Sequence, residues 1–267
     1  MDTPIQSEQP VVVDTPGWRN IKPRIPDTMQ RRVLEKQRGI REIVFGAQDG
    51  VLTTLGIVTG VGSAQPDRWT IILTGFIALL VGALSMGVGQ YLGGKAEREV
   101  VRATIEMERA EMEANPQDEF AEQVAYYKLK GFSSDEAHMI VNRLVQNPEI
   151  YLYEMMRDEF GIDPRVADAR SLGPAFTMAG SFALGAVVPI LPYLLTNVHG
   201  IAVIGALILA AIALFGIGFI AGRLTARNPY LKGLELVVFG AAVFAVSYVA
   251  GRYIPPLFGH PAVVAGG

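Results

Sequence analysis

Glutamates paired three residues apart carry the clearest chemistry in this sequence. Glu108 and Glu111 form one pair, and Glu119 and Glu122 form a second. Residues i and i+3 share a helix face, so each pair can turn two carboxylates toward one cation. Two such pairs on adjacent helices offer the oxygen set that divalent ions such as Fe2+, Mn2+ or Mg2+ accept. Downstream, EMMRDE sets Met155 four residues before Glu159. A thioether beside carboxylates tilts the choice from Ca2+ toward a softer transition metal. A solvated acidic face would show the same glutamates, so spacing alone leaves both readings open. His138 lies in a segment of mixed pattern and reads as a surface histidine, while Met107 and Met112 read as packing.

A second set of acids stands where charge is costly. The stretch GIREIVFGAQDGVLTTLGIVTGVG reads as a membrane helix yet carries Glu42 and Asp49, and a carboxylate near the bilayer centre costs at least ~2.5 kcal/mol. Seven residues make two turns less about 20°, so both acids share a face. With Arg41 and Lys95 as cytosolic edges, Asp49 lies about 12 Å inside the first span and Met86 about 13 Å inside the second, at about 1.5 Å per residue. A carboxylate and a thioether at one level near mid-membrane, with Glu42 nearer the cytosol, suit an ion path. The alternative for Asp49 is a structural hydrogen bond to a neighbouring helix, and Glu42 beside Arg41 also fits a simple interfacial residue. Glu235, close to Lys232, reads as a side chain that snorkels to the surface.

Helices must position these groups. Of 267 residues 50% are hydrophobic, enough for several membrane helices and a modest soluble part, and the lack of cysteine excludes disulfides and thiolate metal sites. Apolar stretches at about 40–62, 70–93, 174–195, 201–222 and 231–253 are each long enough to cross a bilayer. Lys and Arg number 8 in residues 1–41, 10 in 95–170 and 3 in 223–232, against single residues at Arg68 and Arg252 on the other side. The bias places the N-terminus and the 95–170 segment in the cytosol and the C-terminus outside. No apolar h-region stands near the start, so no cleaved signal peptide is expected.

The expected organisation is a basic cytosolic arm (1–39), two membrane helices (40–94), a cytosolic acidic helical domain (95–170), three membrane helices (171–253) and an outer tail (254–267). The 95–170 segment holds 17 Asp and Glu against its 10 basic residues and attracts cations. Its pattern predicts a continuation of the second membrane helix to Ala114, a break at NPQ, a helix near 118–130 ended by Gly131, and a start at SSDE. Ser133 and Glu136 there have capping-box spacing. A last helix opens at Pro148 and closes at Gly161. Within the membrane, GIVTG (56–60), GQYLG (89–93) and GIGFIAG (216–222) predict close helix packing within the bundle or across a dimer. Pro189 and Pro192 predict a kink or local unwinding in the third span.

The ordered set QDGVLTTLGIVTG (48–60), GALSMGVGQYLGGKAERE (82–99), NPQDEFAEQV (115–124), EMMRDEFGI (154–162) and SFALGAVVPILPY (181–193) resembles the vacuolar iron transporter family, in the subgroup with a cytosolic metal-binding domain. The resemblance runs from about residue 38 to the end of the fifth span. It implies an all-α homodimer of five-helix subunits that moves Fe2+, and often Mn2+, out of the cytosol in exchange for protons. Asp49 and Met86 would line the path, with Glu42 at its cytosolic mouth. Glu108, Glu111, Glu119, Glu122, Met155 and Glu159 would collect metal in the cytosol. No enzyme activity, nucleic-acid partner or cofactor beyond the transported ion is implied, and the membrane expected is the bacterial inner one. Two positions depart from the family pattern: Ala78 stands where plant members carry a glutamate, and Met156 stands where an acid is expected, with Glu154 and Asp158 near enough to substitute. Other classes fit less of the pattern. A membrane-attached di-iron carboxylate oxidase would add Glu-x-x-His pairs, and neither glutamate pair has a histidine at that spacing. A non-transporting metal sensor leaves Asp49 and Met86 without a task.

Overall fold

The computed structural model describes residues 29–64, 67–168 and 172–258, with side chains from residue 39 onward. Most of the expected N-terminal arm and residues 259–267 of the tail lie outside the described residues. The described secondary structure is helical throughout: α1 (Met29–Ala64), α2 (Arg68–Ala114), α3 (Pro116–Leu129), α4 (Ser134–Val145), α5 (Pro148–Asp158), a 3-10 turn (Pro164–Asp168), α6 (Leu172–Leu195), α7 (His199–Leu224) and α8 (Pro229–Leu257). Five of these, α1, α2, α6, α7 and α8, contain windows long and apolar enough to cross a membrane. Two compact units emerge, one from Met29–Leu92 with Arg170–Gly267 and the other containing Gly93–Ala169.

In the first unit α1 packs against α6, α7 and α8. The approach of α1 to α6 is set by missing side chains. A Cβ on Gly50 would fall 2.1 Å from the carbonyl oxygen of Phe182, and one on Gly185 would fall 2.2 Å from that of Ala47. Backbones therefore meet directly on either side of Asp49. Around this crossing, Val58, Ile71, Leu79, Phe182, Ala186, Ile190 and Ala206 form one apolar cluster, and Val51, Leu55, Ala210 and Leu214 another. The other small-residue motifs divide: GIVTG lies against Ser247 of α8 and Gly218 against the backbone of Lys232, whereas Gly89 and Gly93 meet nothing within 4 Å in the described chain.

Polar caps order the helix ends. Asp67 accepts from the backbone N–H of Thr70 at 2.8 Å and from its hydroxyl at 2.6 Å, opening α2. Arg68 donates to the carbonyls of Tyr193 (2.7 Å) and Leu194 (2.9 Å) and to the side chain of Asn197. It thus satisfies carbonyls that the end of α6 leaves open, and its charge suits a helix C-terminus. α6 runs unbroken through Pro189 and Pro192 to Leu195, so the expected unwinding does not occur. Both prolines are buried in the bundle. α8 likewise continues past residue 253 to Leu257, through Pro255 and Pro256.

The second unit follows the punctuation of the sequence. α2 carries on to Ala114, Pro116 opens α3, and Pro148 opens α5. Ser133 and Glu136 form the capping box of α4, with Glu136 accepting from the Ser133 N–H at 2.9 Å. Gly131 (φ +98°) and Gly161 (φ +63°) take the left-handed conformations that end α3 and α5. The helices close over a core of Val101, Ile105, Met112, Val124, Val141, Tyr151, Leu152, Met155 and Met156.

The α1–α6 crossing predicts an asymmetry within one helix. Gly185→Ala should destabilise the detergent-solubilised protein by ~1–3 kcal/mol or more, as over-packing does, and so lower its thermal midpoint. Gly180→Ala, with nothing within 4 Å, should be neutral or slightly stabilising. Equal midpoints for the two variants would show that the backbones do not meet here.

Candidate metal centre and membrane path

Five glutamates from three helices come together in the second unit. α2 supplies Glu108 and Glu111, α3 supplies Glu119 and Glu122, and Glu159 stands at the C-cap of α5. Glu108 is 0% exposed and Glu119 7% exposed, both unusual for an ionisable side chain. Neither carboxylate oxygen of Glu108 has a hydrogen-bond partner. The reason for its burial is periodic: Ile105 and Met112, on the same face of α2, belong to the apolar core, and Glu108 falls between them.

The electrostatics record the crowding. Burial first, then the charges of Glu159, Glu119, Glu111 and Glu122, push Glu108 up to about 8. Burial, then Glu122, Glu111, Glu159 and Asp118, push Glu119 up to about 7. Glu159 is also raised, by burial and then by Glu122 and Glu111. All of the charges acting on these groups are carboxylates. In their placed rotamers, no three acidic or histidine side chains among the described residues close into a coordination group. Burial and the neighbouring like charges both favour the protonated form of these acids.

The structure sorts the other expected ligands. Met155 is buried, one turn before Glu159 on α5. Met156 is 0% exposed and belongs to the core. Asp158 does not substitute for an acid there: Gln123 donates to it at 2.7 Å and Lys130 at 2.5 Å. Glu154 lies toward Tyr127 instead. His138 is exposed, its Nδ1 2.7 Å from the Ser134 carbonyl, as a surface histidine would be. Two tyrosines escaped the sequence reading. Tyr126 lies near Glu122, and Tyr151 lies buried in the core beside the cluster. The four-residue step from Tyr151 to Met155 was the available signal.

In the membrane unit Glu42 is 8% exposed and accepts from Gln90 Nε2 of α2 at 3.2 Å. Asp49 accepts from the Thr53 hydroxyl at 3.4 Å. It lines an open groove of about 740 Å3 with Leu52, Thr53 and Gly56 of α1 and Val243 and Ser247 of α8. Met86 packs instead against the cluster around Phe182. Within one chain, then, Asp49 and Met86 have different neighbours. Glu235 pairs with Lys232 at 2.7 Å, half exposed, in keeping with a surface role.

Five membrane-crossing helices define a multi-pass integral membrane protein, here with an acidic helical insertion after the second. Residues 40–252 match the VIT family, and the chain belongs to it. It is 30% identical over 218 residues to vacuolar iron transporter 1 of Arabidopsis thaliana, spanning 80% of this chain and 86% of that protein. The vacuolar iron transporter 1 of Oryza sativa is 30% identical over 212 residues, 78% of this chain and 82% of the relative. Protein CCC1 of Saccharomyces cerevisiae is 27% identical over 219 residues, 79% and 67% respectively.

The raised carboxyls predict proton release on metal binding. At pH 7 Glu108 is mostly protonated and Glu119 about half, so Mn2+ should displace on the order of one proton as it binds. Affinity should rise with pH through 7 to 8, and calorimetry in two buffers of different ionisation enthalpy reads the proton count. Without metal the sign reverses. A carboxyl held above its unfolded value of 4.5 binds more protons folded than unfolded, so the insertion loses stability as pH rises from about 4.5 to about 8. Zero proton release at pH 7 would contradict this electrostatic picture.

Proposed function

We propose that this protein carries divalent transition metal, Fe2+ and also Mn2+, out of the cytosol in exchange for protons, as a homodimer whose acidic insertion is a cytosolic metal-binding domain. Its family makes it a transporter rather than an enzyme. The observation that carries the reading is Glu108, fully buried among four other glutamates with neither oxygen partnered. Buried carboxylates are as a rule protonated, paired or bound to metal, and a cluster of five favours the last. The relatives' names supply iron as the cargo.

The path runs through the first two helices. Glu42, held by Gln90, receives the ion at the cytosolic end, and Asp49 and Met86 take it at mid-membrane. Asp49 opens onto an open-sided groove, and a carboxylate facing lipid is costly. A twofold mate over that groove would shield Asp49 and double the ligands, which supports the dimer. As metal leaves outward, the vacated carboxylate takes a proton, and one group couples the two ions. Sidedness rests on the 21 basic residues of the arm, the insertion and the 223–232 loop against 2 opposite. It gives the same result at a vacuolar membrane as at a bacterial inner membrane: the cytosol loses metal.

Proteoliposomes with an internal pH dye and a metal-sensitive dye test the proposal. Asp49→Ala should abolish Mn2+ and Fe2+ flux, at least about tenfold, and the linked pH change, while metal binding at the insertion persists. Glu108→Gln should weaken binding at low metal and leave flux at saturating metal largely intact. Wild-type flux in Asp49→Ala would sink the path assignment, and metal flux without counter-movement of protons would sink the antiport. Because the chain has no cysteine, a cysteine introduced at Ser134 should be labelled from the cytosolic side alone.

A further inference from the structure

Tyr151 shares the metal cluster's geometry without sharing its charge. On α5 it precedes Met155 by four residues and Glu159 by eight, so the three run along one face. Its side chain is 1% exposed and belongs to the same core as Ile105 and Met112, the two residues that flank Glu108 on α2. Its hydroxyl oxygen is shielded from solvent and within electrostatic reach of Glu119, Glu108 and Glu122. A phenol at the floor of an acidic cluster does what other side chains cannot. Lysine or arginine there would neutralise the field that draws a cation, and phenylalanine would offer no donor.

We propose that Tyr151 is the positioning residue of the metal site, its hydroxyl donating to one oxygen of Glu108 while the other oxygen turns to the bound ion. The inference rests on the metal-binding reading of the insertion. A carboxylate that meets a metal through one oxygen leaves the other in need of a donor, and such outer partners fix the orientation of the ligand. Neither Glu108 oxygen has a hydrogen-bond partner among the described residues, so one is open to a donor and the other to a cation.

The test uses the full-length protein in detergent, titrated with Mn2+, comparing wild type with Tyr151→Phe, Glu108→Gln and Tyr127→Phe. Tyr127 faces Glu154 and Asp158 rather than the cluster and serves as the control tyrosine. Tyr151→Phe should bind Mn2+ on the order of 10–100-fold more weakly and change the paramagnetic resonance spectrum of the bound ion. Its metal-free thermal midpoint should stay at the wild-type value, because the ring and its packing remain. Wild-type affinity with an unchanged spectrum would overturn the inference. So would weaker binding accompanied by a lower metal-free midpoint, since that is a packing defect. If wild type and Glu108→Gln bind Mn2+ equally, the metal-binding reading of the insertion fails first and this inference falls with it.

Discussion

The second unit is organised around one unfavourable interaction. A carboxylate removed from water with no donor on either oxygen is among the least stable arrangements a core can hold. Glu108 is in that position because the helix places it between Ile105 and Met112, both of which the core requires. Two responses are open to the chain: protonate the acid or admit a cation. Its elevated proton affinity is the first response, and burial among four other glutamates is its cause. Basic side chains nearby are engaged elsewhere, Lys130 on Asp158, Arg102 on the Ala167 carbonyl and Arg109 on Glu106.

A different constraint governs the membrane unit. Asp49 can stand at mid-helix because α1 gives up side-chain volume on its neighbouring turns, allowing α6 to approach at Gly50 and Gly185. Direct backbone contact fixes the rotation of α1, and that rotation turns Asp49, Thr53 and Gly56 into the groove beside α8. Glu42 shares the face in sequence terms, yet it is tied by Gln90 of α2. The same helix thus presents its two acids to different neighbours.

Much of this arrangement was legible in the sequence, for identifiable reasons. The five apolar stretches, Pro148 at the start of α5, the Ser133 capping box and the closing glycines act locally, and local rules predicted them. The glutamate pairs were legible because helical spacing alone brings i and i+3 together. What escaped depends on contacts between distant residues. The sequence does not reveal that Gln123 and Lys130 claim Asp158, because those partners lie on another helix or beyond its end. Nor does it show that Pro189 and Pro192 lie buried in the bundle and leave α6 unbroken. The placement of Met86 against the Phe182 cluster is of the same kind, because depth along a helix says nothing about which way the side chain turns.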